Sequence, residues 1–498
     1  MNNSYWIDST KDLSPKFSEL NEDIETDVCI IGGGITGIST AYELAQNGVN
    51  AIVIDRRRDI CTHTTGNTTA KITSGHDLFY KYLINSFSEK IAKQYLYANE
   101  EAISNIKNIV TKENIDCDFE IKDNYIFTQS LEEIPKIQGE AIAINSLGID
   151  AEFVTECSLP LEILGAVKLK NQAQFHPRKY VLGLCNSILK NNGQIYISSK
   201  VHDVKHEKNV YITYTANNKI ISKYVVLASH YPIINMPGFY FLKMYQERSY
   251  IIGVETNSDK LFDGMYISSE QPTLSFRTAK YNNKELLLVG GSNHKVADNK
   301  SIENSYDFLE DSVKKIYPDS NILYKWSTQD CVSLDKIPYI GAFSNTMPNM
   351  YVATGFKKWG MTTSNVAANI IKDKILGNKN NYEEAFLSTR FHPLKNSDEM
   401  ATMLKQTTKS LILDKVVLPE ETIVDLENNE GKIIELDGRK VGVYKSGDNI
   451  YTVNPTCAHL GCELEFNNLD KTWDCPCHGS RFKYTGECIN EPSIKDLS

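Results

Sequence analysis

The chain has no stretch approaching the roughly 18–20 consecutive apolar residues that cross a bilayer, so no membrane span is expected. Its first residues, MNNSYWIDSTKDLSPKF, carry no basic segment followed by an apolar run. No signal peptide is read from them, and the expected location is cytoplasmic. Positive charge is not in excess: the formal net charge is -10 and the pI about 5.6. That counts against nucleic acid as a partner, because phosphate binding needs a basic face. There is no internal repeat and no low-complexity tract. Cysteine is sparse over most of the chain. Cys29, Cys61, Cys117, Cys157, Cys185 and Cys331 are irregularly spaced, which predicts free, mostly buried thiols rather than a disulfide framework. The other five cysteines crowd between Cys457 and Cys488, and such clustering in an intracellular chain points first to metal.

What is present begins with a βαβ pattern; the 498 residues leave room for two or three domains. Asp27–Ile31 is a short apolar run of the kind found in a buried parallel strand. Ile38–Gln46 has helical periodicity and ends at Asn47-Gly48, and Ala51–Ile54 forms a second buried run closed by Asp55. Between strand and helix lies Gly32-Gly33-Gly34-Ile35-Thr36-Gly37, which fits G-x-G-x-x-G in the context its mechanism requires. Gly32 allows the tight turn, Gly34 lets the backbone approach a pyrophosphate, and Gly37 lets helix and strand pack closely. The helix N-terminus stabilises phosphate, and Asp55 can bind ribose hydroxyls. There is one such fingerprint, near the start of a long chain, which favours FAD as a resident cofactor over NAD(P)H. Tyr224–Ala228 reads as a further buried strand, Ser86–Val110 and Arg178–Asn191 as helical, and Val210–Tyr214 as alternating. The fold class expected is an α/β, Rossmann-like nucleotide domain interleaved with a more antiparallel α+β substrate domain.

From about residue 26 to about residue 390 the sequence resembles the D-amino-acid oxidase, glycine oxidase and sarcosine oxidase superfamily of FAD enzymes. The resemblance rests on the βαβ start, on Tyr224–Ala228, and on Asn349–Thr362. In that superfamily the last of these is a strand, a Gly-rich turn and a helix N-terminus facing the flavin pyrimidine edge. The resemblance implies that Gly355, Gly360, Met361 and Thr362 line FAD, where helix N-terminal amides stabilise the anionic reduced flavin. Lys357 or Lys358 could add to that stabilisation or simply be solvated. Thr64, Thr65, Thr68 and Thr69 sit in a loop that runs along the flavin in similar proteins. Related dehydrogenases attach flavin through a His in this region; here Asn67 stands there and His63 is offset, so FAD is expected to be non-covalent.

Trp326–Gly341 resembles a superfamily segment ending in D-x-x-P-x-x-G, with Asp335, Pro338 and Gly341 fitting it. Several amino-acid oxidases carry an Arg in its first half that clamps the substrate carboxylate. This sequence has Asp330 near that place, and a carboxylate there repels an amino acid's carboxylate. Arg248, Tyr250, Arg277 and His176 are further polar candidates, each more readily explained as structural. No residue identifies itself as a catalytic base.

After Phe391 comes a polar stretch with Pro393 and Asn396–Glu399, and from about Glu421 the texture changes to short strands and turns. Thr422–Leu426, Lys432–Leu436, Arg439–Tyr444 and Ile450–Val453 read as strands, with hairpin signals at Asp437-Gly438 and Gly447-Asp448-Asn449. The domains expected are 1–395, a linker over 396–412, and a small all-β domain over 413–498. That last domain contains Cys457-Ala-His459-Leu-Gly-Cys462 and Cys475-Pro-Cys477-His478-Gly-Ser480. Two Cys and two His can also hold zinc, but zinc fingers usually pair Cys with Cys and His with His. Here each loop supplies one thiolate and one imidazole, as a Rieske [2Fe-2S] centre needs. The segment from about 421 to the end resembles Rieske domains throughout. The resemblance implies Cys457 and Cys475 on one iron and His459 and His478 on the other. It implies a Cys462–Cys477 disulfide like that of cytochrome bc-type Rieske proteins, and a Ser480 hydroxyl bonded to a bridging sulfide. Phe482 stands where bc-type proteins often have Tyr, which lowers the expected potential. Glu491-Pro492 matches the loop covering the cluster, and Cys488 is read as a buried thiol.

FAD takes two electrons and a Rieske centre moves one. The expected function is therefore an oxidoreductase in which FAD oxidises a small, amine-type substrate and single electrons leave through the cluster to a soluble or membrane-bound acceptor. The alternatives are a flavin-dependent oxygenase component and a non-catalytic redox carrier or sensor.

Overall fold

The computed structural model describes residues 4–258, 261–297, 304–390, 401, 405, 407–413 and 426–498. Two large sheets and a pair of small ones organise them.

The first large sheet has the order Tyr339–Ala342, Met350–Thr354, Lys219–Leu227, Ile24–Ile31, Ala51–Ile54, Gln194–Tyr196. Its centre is parallel: Ile24–Ile31 lies between Lys219–Leu227 and Ala51–Ile54. Val28, Cys29, Ile30 and Ile31 are buried, as befits strands covered on both faces. The helix Ile35–Gln46 starts directly after Gly34, whose extended backbone forms its N-cap. The close helix–strand approach requires glycine at Gly37, where a Cβ would stand 1.9 Å from the Gly32 carbonyl oxygen. The strand Met350–Thr354 turns at Gly355 (φ 74°) into the helix Gly360–Leu376.

The second sheet has nine strands and is mostly antiparallel, ordered Asn321–Ser333, Met244–Glu255, Lys284–Lys295, Leu274–Tyr281, Met265–Ser268, Glu120–Thr128, Gly165–Gln174, Lys71–Ile72, with Ala151–Val154 paired to Gly165–Gln174. Its strands come from both halves of the chain, interleaved with those of the first sheet. The helical stretch expected over Ser86–Val110 is the single helix Glu89–Lys112, preceded by a separate short helix, Tyr80–Ser86. They are divided at Phe87 because the Ser88 hydroxyl caps the second by accepting from the Ile91 amide. No helix among the described residues is long and apolar enough to cross a membrane.

The C-terminal part has a three-stranded sheet (Gly431–Leu436, Arg439–Ser446, Asn449–Val453) and a four-stranded one (Glu465–Asn467, Thr472–Asp474, Arg481–Lys483, Cys488–Asn490). Both are antiparallel, with turns at Asp437-Gly438 and Gly447-Asp448. Trp473, Phe482 and Leu464 fill the core between them. Residues 422–425 of the strand expected over Thr422–Leu426, and most of the expected linker, lie outside the described residues.

Candidate active site and cluster centre

A cleft enclosing about 1230 Å³ of empty space, open solvent included, runs along the C-terminal ends of the parallel strands. Gly32 and Gly34 form one wall and Asp55 sits beside them, its carboxylate accepting from the Gly33 amide at 2.6 Å and the Arg57 amide at 2.7 Å. Thr64, Thr65 and Thr68 line the cleft from the following loop, and Thr65 Oγ1 accepts from the Ile35 amide at 3.1 Å. Gly355, Gly360 and Met361 close the opposite wall. Three residues singled out from sequence lie elsewhere. Gly37 packs under the turn. The buried Thr362 hydroxyl is 3.3 Å from both the Thr73 carbonyl and His76 Nε2. Thr69 faces a second cavity.

That second cavity lies over the antiparallel sheet and encloses about 1610 Å³, open solvent included. It meets the first at Thr64, Thr68, Asp330 and Lys358, which line both. Lys358 is held by Glu247 at 2.6 Å and Lys357 by Asp77 at 3.3 Å. The other polar candidates are structural. The Arg277 guanidinium donates to the Thr69, Ala70 and Phe175 carbonyls. His176 caps the helix Pro177–Lys190, and the Tyr250 hydroxyl meets His294 at 3.1 Å.

The four cluster candidates converge at one end of the C-terminal part. The backbones of the two loops fold on themselves: the Gly461 amide donates to the Cys457 carbonyl and the Gly479 amide to the Cys475 carbonyl, both at 2.9 Å. Cys462 and Cys477 form a disulfide that ties the loops together. Cys457 and Cys475 are buried free thiols in contact with each other. The His459 and His478 rings stand 5.1 Å apart at 89°. Both nitrogens of His459 and Nδ1 of His478 are buried without a hydrogen-bond partner among the described residues. Burial pushes the two imidazoles down to about 4 and about 3, so they are neutral with free lone pairs. Buried nitrogens without partners are costly unless something ligates them. Two thiols and two neutral imidazoles therefore fit a [2Fe-2S] cluster, in the division of donors a Rieske centre uses. The Ser480 hydroxyl accepts from the Ser493 amide at 3.0 Å and touches the Cys457 sulfur. Cys488 is a buried thiol donating to the Ser493 carbonyl at 3.0 Å.

The family model described as FAD dependent oxidoreductase matches residues 27–374. The chain belongs to the FAD dependent oxidoreductase family. The model described as Rieske [2Fe-2S] domain matches residues 416–498. This family member is therefore an oxidoreductase that uses FAD and a [2Fe-2S] cluster. It is 39% identical over 495 residues to YhfW of Bacillus subtilis (strain 168), named for a Rieske 2Fe-2S iron-sulfur protein, covering 99% of this chain and 96% of that one. It is 23% identical over 410 residues to the gamma-glutamylputrescine oxidoreductase of Escherichia coli (strain K12), covering 78% of this chain and 92% of that one. The glycine oxidase structure from Geobacillus kaustophilus superposes with a TM-score of 0.63 at 16% identity, covering 74% of this chain and all of that one. The fold is thus of the D-amino-acid oxidase type with a C-terminal Rieske domain.

Sequence reasoning missed how the two parts meet. Gln246 Nε2 donates to the His478 carbonyl at 2.6 Å, and Gln329 Nε2 donates to the Gly479 carbonyl at 2.7 Å. Phe241 packs edge-on against the rings of His478 and His459, at 5.8 and 6.4 Å. Arg248, a polar candidate from sequence, instead forms an ion pair with Asp470, whose carboxylate also accepts from the Ser327 hydroxyl at 3.1 Å. Against the cost of burial, Arg248 and Arg481 hold the Asp470 carboxyl below its ordinary value. Arg56 pairs with Glu491 at 2.9 Å, and Arg56 and Arg57 both donate to the Ile489 carbonyl. Glu491 and Ile494 line the first cleft. The loop expected to cover the cluster is thus also a wall of that cleft. The one sequence signal was the Arg56-Arg57 pair after Asp55, which has no role in the fingerprint itself.

Proposed function

We propose that the protein oxidises a small, amine-type substrate at FAD and passes the electrons singly, within the chain, to the cluster and on to an external acceptor. The reading takes 1–395 as the oxidoreductase part, 396–412 as linker and 413–498 as the cluster part. It takes Cys457, His459, Cys475 and His478 as iron ligands. For FAD it takes the cleft-lining glycines and threonines with Asp55 and Met361, and Gly37, Thr69 and Thr362 in support.

The observation that carries it is the seating of the His478–Gly479 loop. Its two carbonyls accept from Gln246 and Gln329, on adjacent strands. The next residue after Gln329 is Asp330, which lines the cleft. FAD supplies a two-electron oxidation when bound, and the cluster a one-electron exchange. The chain's own residues orient and enclose. Gln246 and Gln329 fix the loop, and Phe241 keeps water from the imidazoles. The buried Arg248–Asp470 pair anchors the cluster part, and Gly355 to Met361 present helix N-terminal amides to the cleft. A soluble or membrane-bound acceptor would take the electrons.

Anaerobic addition of primary and N-methyl amines to the holoenzyme tests this. The flavin absorbance should bleach first and the cluster absorbance second. Reduction of the flavin only by an external protein donor acting through the cluster contradicts it. Peroxide formation that is indifferent to loss of the cluster would make the protein a plain oxidase.

A further inference from the structure

The cavity over the antiparallel sheet contains more charge than it neutralises. Glu247 is spent on Lys358 and Asp77 on Lys357. Asp330 is not spent: it is buried, lines the cavity, and its carboxylate makes no hydrogen bond or ion pair among the described residues. Lys71 is buried too. Its ammonium donates to the Tyr266 carbonyl at 2.6 Å and to the Ser275 hydroxyl, and has no carboxylate partner among the described residues, leaving one of its three donors for the cavity it lines. Isolated buried charges are expensive, so each is a place where a ligand's opposite charge gains most.

Sheet register sets the two apart. Asp330 faces Glu247 across its strand pair. Ser275, which holds Lys71, faces Gly290, which faces Ile251. The offset from Glu247 to Ile251 is about 13 Å along the strands, and the three strand spacings from Asn321–Ser333 to Leu274–Tyr281 add about 14 Å across. Asp330 belongs to both cavities and so marks the flavin end; Lys71 lines only the second. An α-amino acid, with its charges on one carbon, cannot meet both.

We propose that the cavity takes an elongated zwitterion, with a cationic amino group against Asp330 beside the flavin and a carboxylate or similar anionic group at the far end on Lys71. This rests on the reading that the FAD part oxidises an amine. Lys336 is the competing cation. It lies half-buried at the cavity, with its ammonium 5.3 Å from the centre of the Tyr82 ring.

The test is equilibrium binding to the anaerobic holoenzyme, read as perturbation of the flavin spectrum. The probes are ω-amino carboxylates from 4-aminobutanoate to 12-aminododecanoate, with the n-alkylamine of each length. The expected result is that affinity rises with chain length and that the longest amino acids bind at least tenfold tighter than alkylamines of equal length. Lys71→Met and Lys71→Gln should both erase that preference while retaining FAD and alkylamine binding. Asp330→Asn should weaken both series, and Lys336→Met should leave the preference intact. Equal binding of the two series by the unmodified protein overturns the proposal, as does a preference that survives both Lys71 variants or is lost in Lys336→Met. The two readings fail separately. Binding in the expected pattern without bleaching of the flavin contradicts amine oxidation alone. Bleaching by amines without the length and acid preference contradicts only the zwitterion.

Discussion

The cluster centre draws its four candidate ligands from two neighbouring loops between Cys457 and His478, closed by a disulfide and by backbone hydrogen bonds within each loop. The cleft proposed for flavin draws its walls from Ile31 at one end of the chain to Ile494 at the other. The first site is local and fixed by nearby covalent and backbone constraints. The second is complete only when the cluster part is docked, because Glu491 and Ile494 belong to it. Damage to the cluster loops that leaves the His478 and Gly479 carbonyls seated on Gln246 and Gln329 should therefore stay in the cluster, whereas damage to the docking should be felt in both sites.

The largest effect is expected from Cys475→Ser. Iron analysis should show the cluster lost while flavin absorbance is kept; full iron content would remove Cys475 from the ligand set. Arg248→Met leaves the buried Asp470 with Arg481, at 3.5 Å, as its one remaining cation among the described residues. Breaking such a pair costs about 3–5 kcal/mol. Thermal unfolding followed by cluster absorbance should shift to lower temperature with flavin release alongside, and an unchanged transition would mean that the pair does not anchor the docking. Replacing Cys462 and Cys477 together by Ser opens a loop closed over a separation of 15 residues, a loss of about 3 kcal/mol. The cluster should bleach at lower denaturant concentration with the flavin signal unmoved; coincident loss of both would contradict the locality of the cluster site. Gly37→Ala drives a Cβ into the Gly32 carbonyl. Dialysis should show FAD affinity reduced about tenfold, about 1.4 kcal/mol, with iron content retained. The smallest effect concerns pH. Burial pushes the Asp330 carboxyl up to about 6, with Lys358 opposing and Glu247 adding to the rise. Below that pH the group is protonated and cannot hold an ammonium, so amine affinity should fall a few-fold as pH drops through about 6. Asp330→Asn should flatten that limb, and a limb that persists in the variant assigns it to another group.

How much of this was legible in the sequence follows the same division. The C-x-H and C-x-x-H spacings put the ligands on two short loops, so linear order nearly equals spatial order. The βαβ start was legible for a similar reason: the fingerprint, the helix and Asp55 are contiguous. The start of the helix at Glu89 rather than Ser86 turned on one capping hydroxyl, that of Ser88. The second cavity was not legible. Its floor comes from alternate positions on strands far apart in sequence, and Lys71 reaches Ser275 across 204 positions. Nor was the docking, since Gln246, Gln329 and Arg248 read as ordinary polar residues of edge-proximal strands. Only their partners in the C-terminal part, 150 to 232 positions away, give them a role in the docking.

Whether electrons cross between the two sites inside one chain is best measured without a substrate. The flavin of the anaerobic holoenzyme is reduced by a light flash, and cluster absorbance is followed over a tenfold range of protein concentration. Seating of the His478–Gly479 loop on Gln246 and Gln329 predicts cluster reduction at a rate independent of concentration, and slower in Arg248→Met. A rate proportional to protein concentration, or a cluster that stays oxidised beside a reduced flavin, would contradict it.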